Sequence, residues 1–110
     1  MAKEQDYQRK IIKYLESVGA YVVKVVAASK KGVPDIIACY KGSFIAIEVK
    51  TPLTRHNTTK LQDYNLKKVR EAEGYAIVAV EVEDLFATLS LIDALHIISC
   101  EDGVTLEKHG

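Results

Sequence analysis

The sequence predicts an α/β fold, a mixed sheet flanked by helices, in the order α-β-β-β-α-β with a further helix at the C-terminal end. Three observations carry this expectation. Two apolar runs, 34–40 and 44–50, are joined at Lys41-Gly42, the composition of a tight hairpin turn. Tyr7, Ile11, Tyr14/Leu15 and Val18 recur at helical spacing. The continuous apolar run "YAIVAV" (75–80) follows a second helical stretch, as for a strand covered on both faces and reached through a right-handed crossover.

Helix 1 is expected over Lys3–Val18, with Gly19 just past its end. "AYVVKVVA" (20–27) is β-branched and aromatic, hence a strand, and "ASKKG" (28–32) is a basic loop. After the hairpin, "TPLTRHNTT" (51–59) has no apolar period and reads as a polar loop. Helix 2 is expected from about Thr58 to Glu73, with Leu61, Tyr64/Asn65, Val69 and Ala72 along one face and Gly74 ending it. "EDLFATLSLIDALHII" (83–98) is helical, its Leu91, Ile92, Leu95, Ile97 and Ile98 expected to pack on the core, or else to form a dimer contact. The last dozen residues are polar and expected to fray or form a short hairpin.

The 110 residues suit one domain, and 48% hydrophobic with 27% charged residues is an ordinary globular composition. The polar N-terminus does not read as a secretory signal, and "GAYVVKVVAA", broken by Lys24, is too short to span a bilayer. Cys39 and Cys100 form neither a metal knuckle nor a disulfide framework, so reduced thiols in a bacterial cytoplasm or that of a viral host are expected. The formal net charge is zero, yet residues 1–70 carry 14 Lys/Arg against 6 Asp/Glu, and residues 71–110 carry 1 against 9. That polarity suits a surface that meets a polyanion, or else a chance segregation of solvated charge.

The hairpin "GVPDIIACYKGSFIAIEVK" (32–50) carries Asp35, Glu48 and Lys50 in otherwise apolar strands. A two-residue turn at Lys41-Gly42 pairs Tyr40 with Ser43, which carries Asp35 to a position opposite Glu48. Directly opposed residues have Cβ atoms about 4.5–5.5 Å apart, and like charges there are destabilising. Lys50, two residues beyond Glu48, points to the same side. Pro34 fixes the direction in which Asp35 enters its strand. One reading is a divalent-cation site, since hard oxygen ligands suit Mg²⁺ or Mn²⁺ at a phosphodiester. The other is a solvated Glu48–Lys50 pair with Asp35 in a Pro-Asp turn. Glu4, with Gln8 one turn on, and Gln62 near the start of helix 2 are open to the same two kinds of reading: Glu4 suits helix-dipole compensation, and Gln62 a surface amide.

Gly32-Val33-Pro34-Asp35, then Glu48-Val49-Lys50 twelve residues later, resembles the PD-(D/E)xK nuclease superfamily. With Glu4 on the first helix and Gln62 on the next, the pattern looks like its VRR-NUC branch and resembles the archaeal Holliday-junction resolvases in plan. The resemblance covers residues 4 to about 85 and implies a restriction-endonuclease-like αβββαβ core over residues 1–90, with 91–110 as a C-terminal extension. It implies that Asp35, Glu48 and the backbone carbonyl of Val49 bind Mg²⁺ or Mn²⁺, with Glu4 a further acidic ligand. Asp35, Glu48 and Lys50 would form the catalytic set, with Gln62 orienting the lysine or the phosphate. Lys30, Lys31, Arg55, Lys60 and Lys67 would contact DNA phosphates, with His56, Lys68 and Arg70 close to them in sequence.

The expected function is therefore metal-dependent endonuclease cleavage of branched DNA, foremost four-way junctions, by a homodimer. The alternatives are a repair nuclease on flaps, nicks or single strands, and a non-catalytic DNA-binding module.

Overall fold

The computed structural model describes residues 2–101 of the chain. The elements come in the expected order: α1 (Glu4–Ser17), β1 (Tyr21–Lys24), β2 (Ile36–Tyr40), β3 (Ser43–Val49), α2 (Lys60–Glu71), β4 (Tyr75–Ala79), a 3₁₀ turn (Val82–Leu85) and α3 (Phe86–Glu101). They build one mixed sheet in the order β1-β2-β3-β4, antiparallel through β3, with β4 parallel to β3.

The hairpin register follows from its turn. Lys41 and Gly42 have φ of 48° and 83°, the two left-handed residues of a type I′ turn. Tyr40 consequently pairs with Ser43 and Ile36 with Ile47. One step further, Asp35 stands opposite Glu48. Alternation then sorts the side chains. Ile36, Ala38 and Tyr40 of β2, with Ile45, Ile47 and Val49 of β3, pack against Ile11 and Leu15 of α1 and against Leu85, Leu89 and Ile92. Full burial of each large aliphatic side chain is worth about 1.5–3 kcal/mol, so slippage by one residue is prohibitive. The same alternation directs Phe44, Ala46 and Glu48 to the other face, on which α2 lies.

α2 turns only part of the expected face inward. Leu61, Tyr64 and Ala72 are exposed, whereas Leu66 is buried and Val69 and Asn65 are half-buried. The reason is Gln62, which turns inward to Glu48 and Lys50. Leu66 and Val69, four and seven residues on, follow it towards the sheet. The helix end also differs. Glu73, with φ of 68°, takes the left-handed position, and Gly74 donates back to the Val69 carbonyl at 2.9 Å. Gly74 is required by space: a Cβ there would lie 2.9 Å from Val69 Cγ1 and 3.1 Å from Phe44 Cδ1.

β4 is an edge strand, so Tyr75–Val78 are half-buried rather than covered on both faces. In α3, Leu89 and Ile92 enter the core, but Leu91, Leu95, Ile97 and Ile98 stay about half exposed. The expected core packing thus holds for Ile92 and fails for the other four: Leu91, Leu95 and Ile98, at i, i+4 and i+7, share a helix face other than the one that carries the buried Leu89 and Ile92. Asp93 ties α3 to the hairpin, accepting from Tyr40 Oη and Lys41 Nζ, each at 2.7 Å. Residues 99–101, expected to be frayed, continue the helix, and the remainder of that expectation lies outside the described residues. Cys39 and Cys100 are both free. Among the described residues no helix is long and apolar enough to cross a membrane.

Candidate active site

The end of the β2–β3 pair is assembled from four segments. Gly32 has φ of 76°, and a Cβ on it would lie 2.7 Å from Leu61 Cγ and 2.9 Å from the Leu61 backbone carbon. The loop before β2 is therefore packed directly on the first turn of α2. Asn65 Nδ2 reinforces this contact by donating to the Lys31 carbonyl at 3.1 Å. Buried Pro34 then delivers Asp35 to the strand entry. Asp35 Oδ2 accepts the Val49 N–H at 2.9 Å, so the carboxylate is fixed across the hairpin.

Glu48 is only 2% exposed and Lys50 only 8%, although both are ionisable. Burying such groups is costly without partners. Gln62 supplies several of them. Its Oε1 accepts from Lys50 Nζ at 3.2 Å and from the Thr59 N–H at 2.9 Å, while Nε2 donates to Glu48 Oε2 at 3.4 Å. Thr59 Oγ1 in return accepts the Gln62 N–H at 3.1 Å, closing a capping box at the start of α2. Gln62 thus caps its helix and positions the lysine with one amide. Lys50 Nζ also lies 3.9 Å from Glu48 Oε2.

Glu4 arrives from the first turn of α1. One carboxylate oxygen each from Glu4, Asp35 and Glu48 lie within 4.8 Å of one another, the one cluster of this kind among the described residues. Burial pushes the Glu48 carboxyl up to about 8, reinforced by the hydrogen bond and charge of Asp35 and opposed by Lys50. Glu4 is raised as well, by burial first and then by Asp35, with Lys50 and Gln8 opposing. Three hard oxygen donors with one nearby ammonium group suit a divalent cation of the Mg²⁺ or Mn²⁺ kind, which would relieve that crowding.

The structure therefore brings together Glu4, Asp35, Glu48, Lys50 and Gln62, with Val49 beside them. The basic residues are spread wider. Lys30, Lys31, Lys60 and Lys67 are exposed on the loop before β2 and along α2, and His56 is exposed in the loop before α2. Arg55 is paired with Asp84 at 3.6 Å, Lys68 with Glu71 at 3.6 Å, and Arg70 donates to the Ala76 carbonyl at 2.9 Å. Sequence reasoning passed over Thr59, although Thr59-Lys60-Leu61-Gln62 has the Thr-x-x-Gln spacing of a capping box.

Solved structures of other proteins share this fold. A solved VRR_NUC domain superposes with a TM-score of 0.60 over 86% of this chain and 95% of its own, at 21% identity. The structure of the Archaeoglobus fulgidus Hjc, a Holliday junction resolvase from an archaeal hyperthermophile, matches with a TM-score of 0.55 over 70% of this chain and 67% of its own, at 23% identity. The model of the archaeal Holliday junction resolvase (Hjc) family matches residues 1–97, and the chain belongs to that family. Among curated proteins, the alanine racemase of Aquifex aeolicus (strain VF5) is 30% identical over 67 residues, which are 58% of this chain. The matched region spans only 20% of that racemase.

Proposed function

We propose that this chain is a divalent-cation-dependent endodeoxyribonuclease that cuts four-way DNA junctions as a homodimer. The observation that carries the reading is the approach of the Glu4, Asp35 and Glu48 carboxylates within 4.8 Å beside a lysine locked by Gln62. In this reading residues 1–90 form the nuclease core and 91–110 an extension of the same domain. Asp35, Glu48, the Val49 carbonyl and Glu4 would hold Mg²⁺, for which Mn²⁺ would substitute. When bound, the cation supplies polarisation of the scissile phosphate and acidification of an attacking water.

The remaining work falls to this chain's own side chains. Glu48 must surrender its proton before it can serve as a ligand. Lys50 Nζ, aimed by Gln62 Oε1, would donate to charge developing on phosphate or hold the attacking water. Lys30, Lys31, Arg55, Lys60 and Lys67 would contact phosphates and orient the duplex arms without reading bases. Two coordinated cuts need two sites in a fixed relation, which a C2 dimer supplies, and the exposed apolar side chains of α3 offer contact area for it.

The test is cleavage of a labelled four-way junction in Mg²⁺ by the wild-type chain and by Asp35→Ala, Glu48→Ala and Lys50→Ala. All three variants are expected to lose cleavage while remaining folded and binding the junction. Full Mg²⁺-dependent activity in Glu48→Ala would overturn the site assignment. Product maps on a junction, a flap and a plain duplex separate resolution from flap or nick repair.

A further inference from the structure

Gln8 stands on α1 one turn beyond Glu4 and is only 7% exposed. Its Nε2 donates to Glu4 Oε1 at 3.4 Å. Its Oε1 is buried and receives no hydrogen bond, the one such buried side-chain atom among the described residues. An unsatisfied buried acceptor costs about 1–3 kcal/mol, and a Leu or Met at this position of an apolar helix face would avoid that cost. Ile11 and Leu15, further along the same helix, show that this environment takes aliphatic side chains well.

The surroundings restrict what could satisfy Oε1. An amide oxygen only accepts. Glu4, on the other half of the same amide, belongs to the carboxylate cluster with Asp35 and Glu48. Among the described residues none donates to Oε1, whereas a water is small enough to reach a buried amide. Mg²⁺ and Mn²⁺ keep several waters when held by few carboxylates, and groups that hydrogen-bond to ligands and waters of a metal site orient it.

We propose that Gln8 is a positioning residue of the cation site, its amide nitrogen orienting Glu4 and its amide oxygen accepting from a water of the cation's hydration shell. This inference rests on the cation-site reading above. It explains why a helix that otherwise buries aliphatic side chains buries an amide at the turn next to Glu4.

The test is calorimetric titration of the full chain with Mn²⁺ alone, without DNA, for wild type, Gln8→Met and Gln8→Leu, beside urea denaturation of each in chelator. The expected result is Mn²⁺ affinity lowered on the order of 10–100-fold in both variants, with metal-free stability unchanged or increased. A merely structural glutamine would give the opposite pattern, lower stability with unaltered Mn²⁺ affinity, and that result overturns the inference. Failure of both variants to fold would overturn it equally. If wild type itself binds no Mn²⁺, the cation-site reading falls and this inference with it. Wild-type binding with equal binding by the variants removes this inference alone.

Discussion

Glu48→Gln isolates the electrostatic tension of the site. In the folded chain burial and Asp35 hold the Glu48 carboxyl near a pKa of about 8, against 4.5 when unperturbed. Below the lower value Glu48 is protonated in both folded and unfolded chains, and the metal-free fold has its full stability. As pH rises through the interval, the unfolded chain releases the proton first, and stability is lost until the folded carboxyl has ionised near pH 8. At about 1.4 kcal/mol for each pH unit between the two values, the ceiling is roughly 5 kcal/mol. A proton shared between Glu48 and Asp35, and water entering the site, bring the expected loss to about 2–3 kcal/mol. Gln cannot ionise, and its amide can donate to Asp35 as the protonated acid does. Urea denaturation in chelator should therefore find the variant within about 1 kcal/mol of wild type at pH 5 and more stable by about 2–3 kcal/mol at pH 9. Mn²⁺ at a thousand times its Kd should reverse the order, since it adds about 4.1 kcal/mol to the chain that binds it. A variant less stable than wild type at pH 9 in chelator, or a difference that does not change with pH, would refute the reasoning.

Two further outcomes follow from the same contacts. Gln62→Ala removes the acceptor that holds Lys50 and half of the capping box, so junction cleavage should fall on the order of 10²-fold. Its stability, measured by urea denaturation, should drop by about 1 kcal/mol. Gly32→Ala places a Cβ against Leu61 at a left-handed φ, so denaturation should show a loss of roughly 1–3 kcal/mol. Because the same loop sets Asp35 against α2, its cleavage rate should fall as well.

The central part of the site was legible from short-range chemistry. A Lys-Gly turn sets the hairpin register, and the register alone puts Asp35 opposite Glu48 with Lys50 on the same side. The family pattern added Glu4 and Gln62 to that group, and the structure brings both of them to it. The face of α2 was only partly legible, because Leu61 and Tyr64 are the more apolar choice and only the partners of Gln62, Lys50 and Glu48 on β3 and just after it, turn that residue inward. The exposure of α3 was hidden for a related reason: an apolar helix looks buried until its neighbours are known.

Nearest neighbours along the chain are therefore enough to set the hairpin, the pairing of its charges and the order of the elements. Tertiary structure alone decided how those charges are compensated. The loop at Gly32 had to meet Leu61 before Gln62 could reach Lys50, and α1 had to pack on the sheet before Glu4 could join Asp35 and Glu48. Burial of Glu48 to 2% exposure, which makes its ionisation costly, exists only once those elements close around it.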